Sequence, residues 1–168
     1  CNVDPTVHPV WRFKGGEQAA LARWQAFKEK GLNGYARRRN NAADANGVSR
    51  MSAYIHYGMI SPMKIAREAA EVGTKSAEKY LDELLVFREH PWHHIYATPE
   101  PYGVHNLPEW ARLSWRSTAD DPRTTRYTLR QLQRGEVHDP LWAACQRSLL
   151  RHGELHNNVR MTWGKALT

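Results

Sequence analysis

Glu83 and Arg88 lie five positions apart in ELLVFREH, on a stretch otherwise given over to apolar side chains. A carboxylate and a guanidinium beside such a stripe form either a site or a plain ion pair, and the sequence leaves both readings open. In GVSRMSAYIHYG, Ser49 and Ser52 flank a sharp turn just ahead of a short helix. Their hydroxyls, with the free backbone N–H groups of a helix start, suit either a phosphate or ordinary N-capping. Tyr35 and Arg39 lie shortly upstream, and an arginine fork matches phosphate oxygens. Arg37, Arg38 and Arg39 together are the densest basic run, read as a solvated face or as a contact for a phosphate backbone. Trp142 and Trp163 fall on consecutive expected helices. They are two core tryptophans or a path for single electrons toward a redox ring. His90 and His94 stand at i, i+4, a zinc-compatible spacing. No third ligand cluster accompanies them, and no metal site is expected.

These residues need elements to hold them. EQAALARWQAFKEKG reads as a helix with Leu21, Trp24 and Phe27 on one face and Gly31 at its end. NGYARRRNNAADANGVS, rich in Asn, Gly and Arg, reads as loop. SPMKIAREAAEVG starts with Ser61 as N-cap and Pro62 in the first turn, and Gly73 closes it. TKSAEKYLDELLVFRE reads as one helix with Tyr80, Leu81, Leu84 and Leu85 on a single stripe, kinked or ended by Pro91. LPEWARLSW is a short helix entered through Pro108. TLRQLQRG is capped by Thr128 and stopped by Gly135. DPLWAACQRSLLRHG starts at Asp139 and Pro140, faces Leu141, Ala144, Cys145 and Leu149 inward, and ends at Gly153. The last stretch, HNNVRMTWGKALT, puts Val159, Trp163, Ala166 and Leu167 on one helical face. No alternating run suggests a strand. The expectation is an all-α fold, with residues 1–16 as a linker and 17–168 as a helical domain.

Composition narrows the class. At 168 residues and 41% apolar, the chain can bury one core. Seven Trp and seven Tyr are many for that length and suit a site that stacks on rings. Lys and Arg exceed Asp and Glu by 24 to 17, which permits a polyanionic partner or a merely soluble surface. Two cysteines exclude a disulfide framework and a zinc-finger spacing, so a reducing, cytoplasmic setting is expected. No hydrophobic run reaches membrane length. The absence of an initiator Met suggests a piece of a longer protein.

Taken in order, these stretches resemble the helical flavin-binding domain of the photolyase and cryptochrome family. NGYARRRN is similar to the family's Tyr–x–x–x–Arg segment. SRMSAYIHYGMISP resembles the Ser–x–Leu–Ser–Pro–Tyr–Leu–His–Phe–Gly–x–Ile–Ser–Pro signature, with Ala53 where the signature has Pro. DELLVFREH resembles the Glu–Leu–Ile–x–Arg–Glu helix. HDPLWAACQRSLLRHGELHNNVRMTWGKAL resembles the Asp–Pro–Leu–Trp … Arg–Met–x–Trp–x–Lys stretch of class II photolyases. The resemblance runs from about Gly16 to Thr168.

The resemblance implies FAD as cofactor, with Tyr35, Arg39, Ser49, Met51 and Ser52 on its phosphate and ribitol side. Arg88 and Arg160 would lie near the flavin. Glu83 and Asn157 would face a damaged pyrimidine pair, and Trp142 and Trp163, 21 positions apart, would relay electrons. It implies damaged DNA as partner and light-driven splitting of pyrimidine dimers, a carbon–carbon lyase reaction, as the parent's activity. It also implies that the N-terminal α/β antenna domain and the C-terminal helices are not in this chain, so that alone it is inactive. Two other expectations stand beside it. One is a cryptochrome-like blue-light receptor with the same cofactor. The other is a cofactor-free helical fragment that binds nucleic acid.

Overall fold

A computed structural model describes residues 8–167, with the side chain of Leu167 left aside. The described residues are helical with connecting turns and contain no strand, so the fold is all-α. By contact the chain divides into two units, one of residues 16–122 and one of residues 1–15 with 123–167.

In the larger unit, α1 (Glu17–Lys30) buries Ala20, Trp24 and Phe27, spaced at i, i+4 and i+7. It stops at Gly31, whose N–H reaches the Phe27 carbonyl at 2.8 Å. A Cβ at Gly31 would lie 2.5 Å from the Phe27 ring, so the turn needs glycine for space. The chain continues through a 3₁₀ turn (Leu32–Gly34) into α2 (Tyr35–Arg38). A loop was expected here. The short helix exists because Leu32 and Tyr35 are both buried, and tertiary packing overrides the polar local composition.

After α3 (Ser52–His56), α4 (Pro62–Val72) starts as its sequence suggests. The Ser61 hydroxyl accepts the Lys64 N–H, Pro62 occupies the first turn, and Gly73 closes the helix at φ 63°. α4 buries Ile65, Ala66 and Ala69. Then α5 (Lys75–Leu81), capped by Thr74, packs on α2, α4 and the 3₁₀ turn. It does not continue as an α-helix. Asp82–Phe87 form a π-helical turn. The wider turn breaks the expected stripe: Leu84 is buried, but Leu85 is 39% exposed. α6 (His90–Ala97), with Pro91 in its first turn, and α7 (Glu109–Ser117), entered through Pro108, bury no side chain.

The core of this unit is aromatic. Tyr80 stacks on Trp24 at 5.7 Å between centroids, meets Tyr35 edge-on at 5.2 Å, and lies 5.5 Å from Phe27. Trp24 also needs a partner for its indole N–H, which donates to Glu68 Oε2 at 2.8 Å. Lys28 and Lys64 each reach Glu68 at 2.6 Å. Thus one carboxylate ties α1 to α4.

In the smaller unit, α8 (Leu129–Arg134) carries a capping box between Thr128 and Gln131. α9 (Pro140–His152) is capped by Asp139, which accepts from the Leu141 and Trp142 N–H groups. α10 spans Asn157–Leu167. The inward face of α9 is rotated from the expected one. Leu141 and Ala144 are exposed, while Ala143 is buried. The α8–α9 corner sets this. A Cβ on Gly135 would sit 3.3 Å from the Ala143 carbonyl, and Gln146 Nε2 donates to the Gln133 carbonyl at 2.7 Å. On α10, Val159 and Trp163 are half-buried but Ala166 is exposed.

The hydrogen bonds from Lys28, Lys64 and Trp24 hold the Glu68 carboxyl at about 2, below its ordinary 4.5. A depressed folded-state pKa stabilises the fold above about 4.5, and that contribution fades as pH falls toward about 2. Glu68→Gln should therefore lower stability by on the order of 1–2 kcal/mol at pH 6. The deficit should close toward pH 2 when paired thermal melts are followed down the same series.

Candidate functional site

Arg39 is the first residue past α2, and the end of that helix aims it at the π turn. Its Nη2 donates to Glu83 Oε1 at 2.5 Å, and its guanidinium lies 5.9 Å from the centre of the Tyr35 ring. Lys79, one turn before Glu83, bonds the same Oε1 at 3.0 Å and Asp82 Oδ2 at 2.5 Å. Both ion pairs of Glu83 use Oε1. Among the described residues, Oε2 has no partner. The carboxylate is held firmly by one oxygen and has the other to offer.

Burial works against the charge on Arg39. The Tyr35 hydroxyl and the Glu83 carboxylate outweigh it and raise the guanidinium pKa. Burial raises the Tyr35 hydroxyl pKa, partly opposed by the hydrogen bond with Arg39. Hydrogen bonds to Asp82 and then Glu83 raise Lys79. All three groups keep their protons at neutral pH.

The Ser49 turn joins this cluster through the core. Tyr80, whose ring touches Tyr35, donates its hydroxyl proton to Ser49 Oγ at 3.3 Å. Burial pushes the Tyr80 hydroxyl up to about 12, so it remains a donor. Ser49 Oγ also accepts the Met51 N–H at 3.4 Å, and Arg23 Nε donates to the Ser49 carbonyl at 2.8 Å. Between the two serines, Arg50 takes a left-handed φ of 57°, an uncommon conformation for a side-chain-bearing residue. Met51, buried, is the N-cap of α3 with no side-chain cap, so neither serine plays that role. Ser52 is exposed on the first turn of α3.

The expected Glu83–Arg88 pair does not form. Arg88 bonds its neighbour Glu89, because the π turn carries it away from Glu83. The arginine run divides as well: Arg38 forks onto Asp44 at 2.6 and 2.8 Å, Arg39 takes Glu83, and Arg37 is exposed. Sequence reading missed Lys79, Asp82 and Arg23, and it placed Tyr80 on the apolar stripe without its link to Ser49. Only Lys79 had a local signal, four residues before Glu83.

In the smaller unit, Trp142 and Trp163 come together with centroids 4.8 Å apart and planes at 57°. Trp142 donates to the Leu132 carbonyl at 3.4 Å. The indole N–H of Trp163 is buried with no partner among the described residues. Arg160 Nη2 donates to Asn157 Oδ1 at 3.3 Å. Among the described residues no group of His, Cys, Asp or Glu could hold a metal ion, and no helix is long and apolar enough to cross a membrane.

No family model matches the chain. Individual relatives do. It is 36% identical to the deoxyribodipyrimidine photolyase of Methanothermobacter thermautotrophicus, over 99% of this chain and 36% of that protein. It is 35% identical to the photolyase of Oryza sativa, over 99% of this chain and 34% of that one. Its fold overlays a class III photolyase from Agrobacterium tumefaciens with a TM-score of 0.70 at 25% identity, covering 89% of this chain and 30% of that structure. A Synechocystis cryptochrome overlays at 0.67 and 25%, covering 93% of this chain and 33% of that one. The chain belongs to the photolyase and cryptochrome family. It spans about a third of the length of these photolyase relatives.

The Arg39–Glu83 contact joins α2 to the π turn in this photolyase-family chain. Arg39→Ala should leave Glu83 three-quarters buried with Lys79 alone, costing about 1–3 kcal/mol. Arg39→Lys should recover only part of that in chemical denaturation, since an ammonium cannot span the Tyr35 hydroxyl and Glu83 as the planar guanidinium does.

Proposed function

We propose that this chain is the cofactor- and lesion-facing part of the helical domain of a light-driven DNA-repair enzyme that splits pyrimidine dimers. Residues 17–168 would form that part, and residues 1–16 would lead into it. The observation that carries the reading is the 36% identity to a deoxyribodipyrimidine photolyase across 99% of the chain.

The proposed cofactor is FAD, and the donor set suits it. Ser49, whose turn is fixed by the Met51 N–H and the Tyr80 hydroxyl, and Arg39 offer a hydroxyl and a guanidinium within one packed neighbourhood, matching phosphate and ribitol oxygens. Tyr35 braces Arg39, and Ser52 adds a second exposed hydroxyl. Arg88 and Arg160 would neighbour the ring system. When bound, FAD supplies light-driven one-electron transfer.

The chain's own residues then bind, orient and deliver. Glu83, fixed by Arg39 and Lys79 through Oε1, would accept a pyrimidine N–H through Oε2. Asn157, oriented by Arg160, would contact the lesion. Trp142 and Trp163, in near contact, would pass electrons to an oxidised cofactor. The dimer would be flipped out of the duplex at reduced cost, its pairing already weakened. The cryptochrome likeness supports a second reading, a light receptor with the same cofactor, and dimer repair under light separates the two.

The first test is retention of added FAD by the purified chain through gel filtration, read as a structured absorption band near ~450 nm. A colourless protein would limit the likeness to ancestry. In a full-length parent, Glu83→Ala should lower repair yield roughly tenfold or more while flavin stays bound. Trp142→Phe should slow photoreduction of oxidised flavin and leave repair by pre-reduced enzyme intact; unchanged photoreduction would return the pair to the core.

A further inference from the structure

Charge is divided unevenly between the two units. Residues 1–15 with 123–167 carry ten Arg and Lys against four Asp and Glu, whereas residues 16–122 carry fourteen against thirteen. Almost the whole basic excess belongs to the smaller unit. Within it, an open cleft of about 1080 Å³ lies between His8 and Val10 and the second half of α9. Arg147, Ser148, Arg151 and His152 line it from α9, in two pairs four residues apart on one face. Among the described residues no carboxylate lines the cleft.

Among the described residues the guanidinium groups there are unspent. Neither Arg147 nor Arg151 has an ion pair or hydrogen bond through its side chain among the described residues. The Nδ1 of His152 is buried without a partner among the described residues, which is costly unless a ligand or water meets it. Gly153 shapes one wall. A Cβ on it would lie 2.3 Å from Val10 Cγ2, so glycine, at φ 63°, both ends α9 and admits Val10. Basic residues in a last helical turn complement the helix dipole. That explains Arg151 and His152, but not Arg147 a turn earlier or His8 across the gap.

We infer that this cleft is a binding site for a phosphate-bearing anion. Two guanidinium forks one turn apart match oxygens on neighbouring phosphates, and the cleft is far larger than a simple ion requires. The phosphates belong to a nucleic-acid backbone or to a free polyphosphate. The site lies outside the residues proposed for FAD and the lesion, and its existence does not depend on that reading.

The test is binding of inorganic tripolyphosphate and of a 12-nucleotide single-stranded DNA to the full 168-residue chain. The wild type is compared with Arg147→Gln/Arg151→Gln and with Arg67→Gln, an exposed arginine of the other unit, as control. The double variant should weaken at least one probe tenfold or more, with an unchanged melting temperature, while the control binds as wild type. Loss for DNA, with the slope of log K against log salt falling by about two, would identify the backbone as the source. Loss confined to tripolyphosphate would identify a free anion. Equal binding by the double variant and wild type, or no binding of either probe, would overturn the inference whether or not the chain takes up FAD.

Discussion

Tyr80 is the contact on which the larger unit depends. Its ring lies against Trp24, Phe27 and Tyr35, so one side chain on α5 closes a core drawn from α1 and α2. Its own hydroxyl is satisfied by Ser49. The candidate site is therefore an extension of the core. Tyr35 packs on Tyr80 and carries Arg39, Arg39 holds Glu83, and Ser49 shapes the turn before α3. A burial geometry that satisfies apolar area also orients the groups with chemistry to offer.

How much of this was legible depends on range. The caps at Ser61, Thr128 and Asp139, and the closing glycines at 73, 135 and 153, were readable because each is settled within a turn of chain. The tryptophan pair was readable as two positions, and its contact followed from adjacent helices. The partner of Glu83 was not readable. Arg39 is 44 residues away, and nothing local distinguishes it from Arg38, which turned to Asp44. The face of α9 was misjudged for a related reason. Leu141 is more apolar than Ala143, yet close approach at Gly135 admits only the smaller residue.

The two units divide the work unequally. The larger is nearly neutral and dense with internal ion pairs at Glu68, Asp44 and Glu83. The smaller carries most of the basic excess, leaves Arg147 and Arg151 without a side-chain partner among the described residues, and holds its tryptophans in contact. Internal pairing tightens a scaffold, and unpaired charge stays available for a partner.

The π turn at Asp82–Phe87 has a consequence for how this segment tolerates change in length. A π turn is, in register, an α-helix with one residue too many. Because the wide turn absorbs that residue locally, the helical phase before and after it is nearly the same. Removing one residue would restore regular winding and leave α6 on nearly its present heading, while changing which side chains within the turn face the core. Glu83 sits in that turn, so a single-codon deletion there would fall on the site and not on the direction of the chain beyond it.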